Sequence, residues 1–235
     1  MVEPAGKARV LMSYTLQYGQ VTPYLGYLAG GAWLALQIAA IAFVIGWAIG
    51  LVCASLLEYG PRPARWLVRS YVVFFLNTPL LVQIFFLYFA LPDWGILLGS
   101  YEAVLLGMAL NAGAYLTEIQ RAGFRSIRVA EVEAATTLGF SRVQTIRYVI
   151  LPHICKVLFP PLSNQYIILT MTTSIAAIFG VEELTGRTYN INAQTFRSFE
   201  IFSIAALYYI ALTLVASAAL YAVGRYFFRI KGKVF

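Results

Sequence analysis

The chain has 235 residues, of which 60% are apolar, 15% aromatic and 11% charged, with a formal net charge of +7 and a mean hydropathy of +0.75. A soluble domain carries roughly 25% charged residues, so the composition excludes a soluble enzyme, a disordered chain and a free nucleic-acid binder. One histidine (His153) and two distant cysteines (Cys53 and Cys155) provide no zinc spacing and no disulfide framework, so neither a metal nor a cofactor is expected.

Residues 10–57 carry no charge. Their first part, 13–23, is polar and aromatic and reads as a surface segment lying along a membrane. The remainder, about 28–57, reads as one apolar helix of about 45 Å. The hydrocarbon core is about 30 Å thick, so this helix should tilt or protrude. Further spans are predicted at about 70–91, 102–120, 154–181 and 202–228, giving an all-α integral membrane fold of five transmembrane helices. No internal repeat divides the chain. The first span is longer than the apolar region of a signal peptide, about 7–15 residues, so 1–235 reads as one membrane domain.

Several residues within these spans are candidates for function. In the second span, Pro79 frees the carbonyl of Phe75 and predicts a kink. With Asn77, Thr78 and Gln83 beside it, the kink is either packed or the wall of a cavity. In the third span, Glu118 either pairs with Arg121 at helical spacing or contacts a permeating ligand. Asn111 and Tyr115, deeper on a similar face, are candidates to line a pathway. In the fourth span, Thr170, Thr172, Thr173 and Ser174 either bond back to the preceding turn or face a mid-membrane cavity. The polar segment 182–200 either caps the pathway and meets a docked protein or is a mobile loop. His153 reads as an interface residue at the membrane surface.

The distribution of Lys and Arg sets the orientation. Thirteen fall on one side: Arg62, Arg65, Arg69, Arg121, Arg125, Arg128, Arg142, Arg147, Lys156, Arg225, Arg229, Lys231 and Lys233. Four fall on the other: Lys7, Arg9, Arg187 and Arg197. This predicts the N-terminus outside and the C-terminus in the cytoplasm, as five spans require. The outer side also holds acids, including Glu3, Glu182, Glu183 and Glu200.

The basic segment 121–152 is the most informative. EVEAATTL at 131–138 favours a short helix that Gly139 can end in a left-handed cap. Ser141 suits the N-cap of a second helix, SRVQTIRYVILP, which Pro152 should stop or bend. Ala134, Ala135 and Gly139 would let another protein's surface approach closely. Glu133 either meets a basic group on that partner or, with Glu131, balances Arg128.

EAATTLGFSRVQTIRYVILP at 133–152 resembles the coupling loop of membrane subunits of bacterial ABC-type importers, with Val149 where that loop has Ile. NTPLLVQIFFLYFALP at 77–92, AYLTEIQRAGFRSI at 114–127, FPPLSNQYI at 159–167 and TTSIAAIFGVEELT at 172–185 resemble the polar amino-acid branch of that family, whose members carry histidine, glutamine, arginine, opines or glutamate. Where many relatives have Lys-Asp-Thr-Ser-Leu, this chain has Met171-Thr172-Thr173-Ser174-Ile175. The resemblance covers about residues 25–230. It implies a type I importer permease fold in a bacterial inner membrane, handling a polar or charged amino acid. The implied partners are a second permease chain, identical or paralogous, two ATP-binding subunits and an extracytoplasmic substrate-binding protein. It assigns Glu133, Ala134, Ala135 and Gly139 to ATPase coupling. The residue readings above nominate Gln83, Asn111, Tyr115, Glu118, Thr172, Thr173 and Ser174 for the substrate pathway. No GxxxxGK[ST] phosphate loop occurs, so ATP hydrolysis is expected in separate subunits. The alternative is a self-sufficient ion-coupled secondary transporter. Such carriers hold ionisable groups deep in the membrane and often internal repeats. This chain has only Glu118, near a span's edge.

Overall fold

The computed structural model describes residues 14–228, and the described residues form helices and turns with no strand. Lys7, Arg9, Glu3, Arg229, Lys231 and Lys233, used in the orientation argument, lie outside the described residues. Nine α-helices run in order: α1 Leu25–Tyr59, α2 Arg62–Leu76, α3 Leu80–Phe85, α4 Ser100–Arg125, α5 Val129–Thr137, α6 Arg142–Thr145, α7 Leu151–Thr172, α8 Leu184–Thr195 and α9 Ser198–Phe228.

Helix α1 is apolar on all sides, so hydrophobicity cannot select its buried face; side-chain size does. Gly31, Ala35, Ala39, Ala42, Gly46, Gly50 and Ala54 recur every three to four residues and are all buried. Trp33, Val44 and Val52 face outward. The part of this row around Gly46 and Gly50 forms a seam against α4, while Gly31 packs on Glu183, Leu184 and Arg187. A Cβ on Gly46 would lie 2.9 Å from the Ala112 Cβ, and one on Gly50 would lie 2.9 Å from the Leu116 carbonyl carbon. Lipid tails are as apolar as leucine, so membrane helices associate through close backbone approach and van der Waals contact. Gln120 ties the seam by donating from Nε2 to the Trp47 carbonyl at 3.0 Å.

Three described runs are long and apolar enough to cross a membrane: Tyr18–Tyr59, Arg142–Phe179 and Ser198–Phe227. A fourth, Arg62–Leu76 with Leu80–Trp94, qualifies only as a pair bent by 107°. The predicted span 70–91 is therefore corrected to two segments with a sharp break between them. Pro79 has no N–H, and Thr78 before it is driven out of the helical region. Helix α4 covers the predicted third span, 102–120, as a helix, but it is not among the runs apolar enough to cross a membrane by themselves. It is the most enclosed helix, packed against α1, α2, α3 and α7, which is why it tolerates Asn111, Thr117 and Gln120 in its interior.

The fourth predicted span begins earlier than 154. Pro152 neither stops nor breaks the run, because a π turn over Ile146–Ile150 takes up the hydrogen bond that proline cannot make. Helix α7 continues through Pro160 and Pro161 and tightens to a 3-10 run over Thr173–Phe179.

Of the segment at 13–23, expected along the membrane, the described part contains two short turns, Tyr18–Gln20 and Thr22–Tyr24. These are held by α9 and its approach: the Arg197 guanidinium donates to Gln20 and Gln17 side chains at 3.1 and 2.9 Å. The buried Glu200 carboxylate accepts from the Gln17 N–H at 2.8 Å and from the Tyr14 hydroxyl.

Gly50→Leu is expected to destabilise the protein by about 3 kcal/mol. Its melting temperature in detergent should fall by on the order of 10 °C. Val52→Leu, on the exposed side of α1, should leave the melt unchanged.

Candidate functional site

The break between α2 and α3 leaves the last carbonyls of α2 short of helical donors, and side chains make up for them. The Val73 carbonyl keeps its helical donor, the Asn77 N–H at 3.2 Å, and also accepts from Asn77 Nδ2 at 2.7 Å, while the Phe74 carbonyl accepts from Thr78 Oγ1 at 2.8 Å. The Phe75 carbonyl receives two amides: Gln83 Nε2 at 3.0 Å and Asn111 Nδ2 at 3.3 Å. Gln83 also donates to the Thr78 carbonyl at 3.0 Å and accepts from Asn111 at 3.1 Å. The bend is thus a saturated network rather than a loose joint.

A cleft of about 570 Å³ opens at this break, lined by residues 76–80 together with Asn111, Tyr115, Gln165, Ile168, Leu169 and Thr172. No charged side chain lines it. Among the described residues, the Gln165 amide and the Tyr115 hydroxyl make no hydrogen bond, so both are available to a ligand.

Of the residues assigned to a pathway from sequence, Asn111, Tyr115 and Thr172 line this cleft. Gln83 is buried behind it and holds the break. Thr173 and Ser174 are not in its lining. The Thr173 hydroxyl is fully buried and donates to the Thr170 carbonyl at 2.7 Å, and Ser174 donates to the Met171 carbonyl at 3.0 Å. Thr172 also bonds back, to the Ile168 carbonyl at 2.7 Å. Glu118 lies outside the lining, 3.6 Å from Arg121. The shorter contacts belong to Glu58, whose Oε1 receives Arg121 at 2.9 Å and Arg125 at 2.7 Å. Sequence reasoning missed Glu58. The available signal was a carboxylate closing a long uncharged run, facing two arginines at i, i+4 on another helix. It also passed over Gln165 as a ligand-facing group.

At the other end of the run Arg142–Phe179 stands an elbow. Helix α5 ends at Gly139, whose φ of +80° favours glycine. The Phe140 N–H bonds the Ala135 carbonyl and the Gly139 N–H the Thr136 carbonyl, both at 3.0 Å, a Schellman arrangement. Two residues on, Ser141 and Gln144 form a reciprocal capping box, with the Ser141 N–H to Gln144 Oε1 at 2.8 Å and the Gln144 N–H to Ser141 Oγ at 3.3 Å. Glu133, Ala134 and Gly139 are exposed. Ala135 is 4% exposed, which corrects the expectation that it offers itself to a partner. Its small size instead lets α5 lie close to the 146–150 turn. Leu138 and Val143 are 76% and 73% exposed. Glu131 Oε2 and His153 Nδ1, 3.9 Å apart, tie α5 to α7.

The polar segment 182–200 is ordered, because α8 occupies most of it. Glu183 caps α8 by accepting the Gly186 N–H at 3.0 Å, and it also accepts from the Tyr209 hydroxyl at 3.0 Å. Burial pushes its carboxyl above the usual carboxylate range, against the opposing pull of these donors. Arg187 clamps α8 to the start of α1, donating to the Tyr27 carbonyl at 2.7 Å and stacking over the Tyr27 ring at 4.5 Å.

A broken apolar helix beside a cleft fits the rule that irregular backbone at membrane depth is tolerated only along a cavity or within protein. Residues 42–229 match the family described as "Binding-protein-dependent transport system inner membrane component". The chain belongs to this family: it is a permease component of a binding-protein-dependent transport system. It is 36% identical over 202 residues to the glutamine transport system permease protein GlnP of Escherichia coli (strain K12), covering 85% of this chain and 92% of that one. It is 32% identical over 203 residues to the octopine transport system permease protein OccM of Rhizobium radiobacter, covering 81% of each. Among solved structures, an amino acid ABC transporter crystallised with histidines superposes with a TM-score of 0.83 at 30% identity, covering 90% of this chain and 99% of that one. An inward-facing MetNI methionine ABC transporter shares the fold, with a TM-score of 0.63 at 17% identity over 86% of this chain and 98% of that one.

Gln83→Leu and Asn111→Leu should each cost roughly 1–3 kcal/mol, since each leaves buried polar groups unpaired. The double variant should depart from additivity by roughly 0.5 kcal/mol or more, because both amides serve one carbonyl. A thermal-melt double-mutant cycle reads this directly.

Proposed function

We propose that the chain forms half of the translocation pathway of an ATP-driven importer for a polar amino acid in a bacterial inner membrane, in a complex with a second permease chain, two ATP-binding subunits and an extracytoplasmic binding protein. In this reading it crosses the membrane five times, with the N-terminus outside and the elbow in the cytoplasm. The absence of charge in the cleft lining favours a zwitterion whose side chain is polar and neutral. Such a cargo can exchange hydrogen bonds with Gln165, Tyr115 and Asn111 and needs no buried counter-ion.

One observation carries the proposal. The elbow and a wall of the cleft belong to a single helical run, Arg142–Phe179. Its first turn is fixed to the elbow by the Ser141 cap, and its residues 165, 168, 169 and 172 line the cleft. Ser141 and Gln165 are 24 positions apart, or roughly 36 Å of helix. A partner that displaces the elbow therefore displaces the cleft wall as a lever. Closure of ATP-binding subunits on two such elbows would draw the paired chains together and turn the pathway from one side of the membrane to the other. Family membership counts against the ion-coupled alternative.

The exposed Glu133 is the residue whose charge a docked subunit would read. Glu133→Lys should weaken retention of an ATP-binding subunit in a mild-detergent purification about tenfold or more, equivalent to roughly 1.4 kcal/mol of lost pairing. It should lower ATP-driven uptake in step while leaving the melt unchanged. If the wild-type chain purifies alone and takes up amino acid under an ion gradient without ATP, the importer reading is wrong.

A further inference from the structure

The molecule has a second cavity that the cleft and elbow do not use. It is a groove of about 330 Å³ on the outside of the bundle, where α1, α7 and α9 meet. Val44 and Trp47 from α1, Phe159 and Tyr166 from α7 and Leu220 from α9 give it an apolar wall, and one polar residue, Ser163, interrupts that wall. Its size falls at the small end of ligand sites, roughly 300–1,000 Å³. The helices that form it belong to the three runs apolar enough to cross a membrane, and its wall is as apolar as a lipid-facing surface.

Ser163 makes the groove more than a packing gap. It is 2% exposed, and its Oγ has no hydrogen-bond partner. Hydroxyls in helices ordinarily satisfy themselves by bonding back one turn, as Thr170 and Thr172 do on the same run at 2.9 and 2.7 Å. Ser163 does not. A buried, unpaired donor beside an empty apolar groove calls for an acceptor carried on an apolar molecule. Two turns earlier on the same helix face stands Lys156, exposed and in no ion pair with any described residue. Ser163 and Lys156 are separated by roughly 10 Å along the axis. A glycerol backbone, with one hydrogen bond at each end, bridges that distance between an ester carbonyl and a phosphate.

We propose that this groove binds one acyl chain of an anionic phospholipid from the leaflet on the elbow side. Ser163 Oγ donates to the ester carbonyl, and the Lys156 ammonium meets the headgroup phosphate. The inference requires only that α1, α7 and α9 lie in a bilayer, and it is independent of the cargo.

The test is native mass spectrometry of the permease purified with its accompanying subunits, after equilibration with mixed phosphatidylglycerol and phosphatidylcholine micelles. Retained phosphatidylglycerol should exceed phosphatidylcholine by about fivefold, the contribution expected of one basic side chain at a lipid surface. Lys156→Gln should abolish the headgroup preference but keep some lipid. Leu220→Trp, which fills the groove, should lose the lipid altogether, and an unchanged thermal melt for Lys156→Gln shows that the fold survives. Equal retention of the two lipids by the wild type, or retention unchanged in Leu220→Trp, overturns the proposal. So does disulfide cross-linking of Val44→Cys or Leu220→Cys between two copies of the chain, because the groove would then be covered by protein.

Discussion

The rest of the structure depends on how closely α1 and α4 approach. Helix α4 carries Asn111, Thr117 and Gln120 into the middle of an apolar bundle, where none could be left facing lipid. They are tolerated because α1 presents glycine and alanine along its length, so the two backbones nearly touch and lipid is kept away. Gln120 then reaches the Trp47 carbonyl across the seam, and Thr117 bonds back to the Gly113 carbonyl at 2.7 Å. Larger residues on α1 would separate the helices and expose those amides to a medium that cannot hydrogen-bond them. The seam is thus a precondition for polar chemistry at the centre, in addition to any stability it contributes.

Asn111 shows how the seam reaches the cleft. With α4 held by α1, its opposite face supplies an amide to the carbonyl that Pro79 leaves open. A proline break in a membrane helix is costly when the freed carbonyl has no donor. Here it has two, and both come from side chains fixed by other contacts. The resulting 107° bend turns α3 aside from α2 and leaves room for the cleft. The same residues that satisfy the backbone also border the cavity, so its polarity follows directly from the way the break is stabilised.

How much of this was legible in the sequence depended on the range of the interaction. The caps at Gly139 and Ser141 were legible because capping is decided within four residues. The freed Phe75 carbonyl was legible because proline's missing N–H is a covalent fact. The size of the bend was not, since it depends on Gln83 and Asn111 arriving from two other segments. Nor was the Glu58 pair with Arg121 and Arg125, which joins residues 63 and 67 positions apart with no local pattern to announce it. Ala135 was misjudged for a different reason: in a motif recognised by its letters, nothing distinguishes the residue that faces a partner from the one that faces its own chain. Only the packing of α5 on the following turn decides that. Thr173 and Ser174 share this limit, because a hydroxyl that bonds back to its own helix and one that lines a cavity look alike in sequence.

The π turn at Ile146–Ile150 bears on how motion passes through the chain. Pro152 would ordinarily break a helix, and a break there would uncouple the elbow from the cleft wall. Widening one turn accommodates the proline and preserves a continuous run from Arg142 to Phe179. Such a turn closes longer hydrogen-bonded rings than an α turn, and between it and the cleft the run also accommodates Pro160 and Pro161. The Glu58 cluster sits at the corresponding end of α1 and α4, pinning the two helices that do not belong to the lever. In the proposed reading, a displacement of the elbow would move α7 against the α1–α4 pair and change the distance between Gln165 on one wall of the cleft and Asn111 on the other.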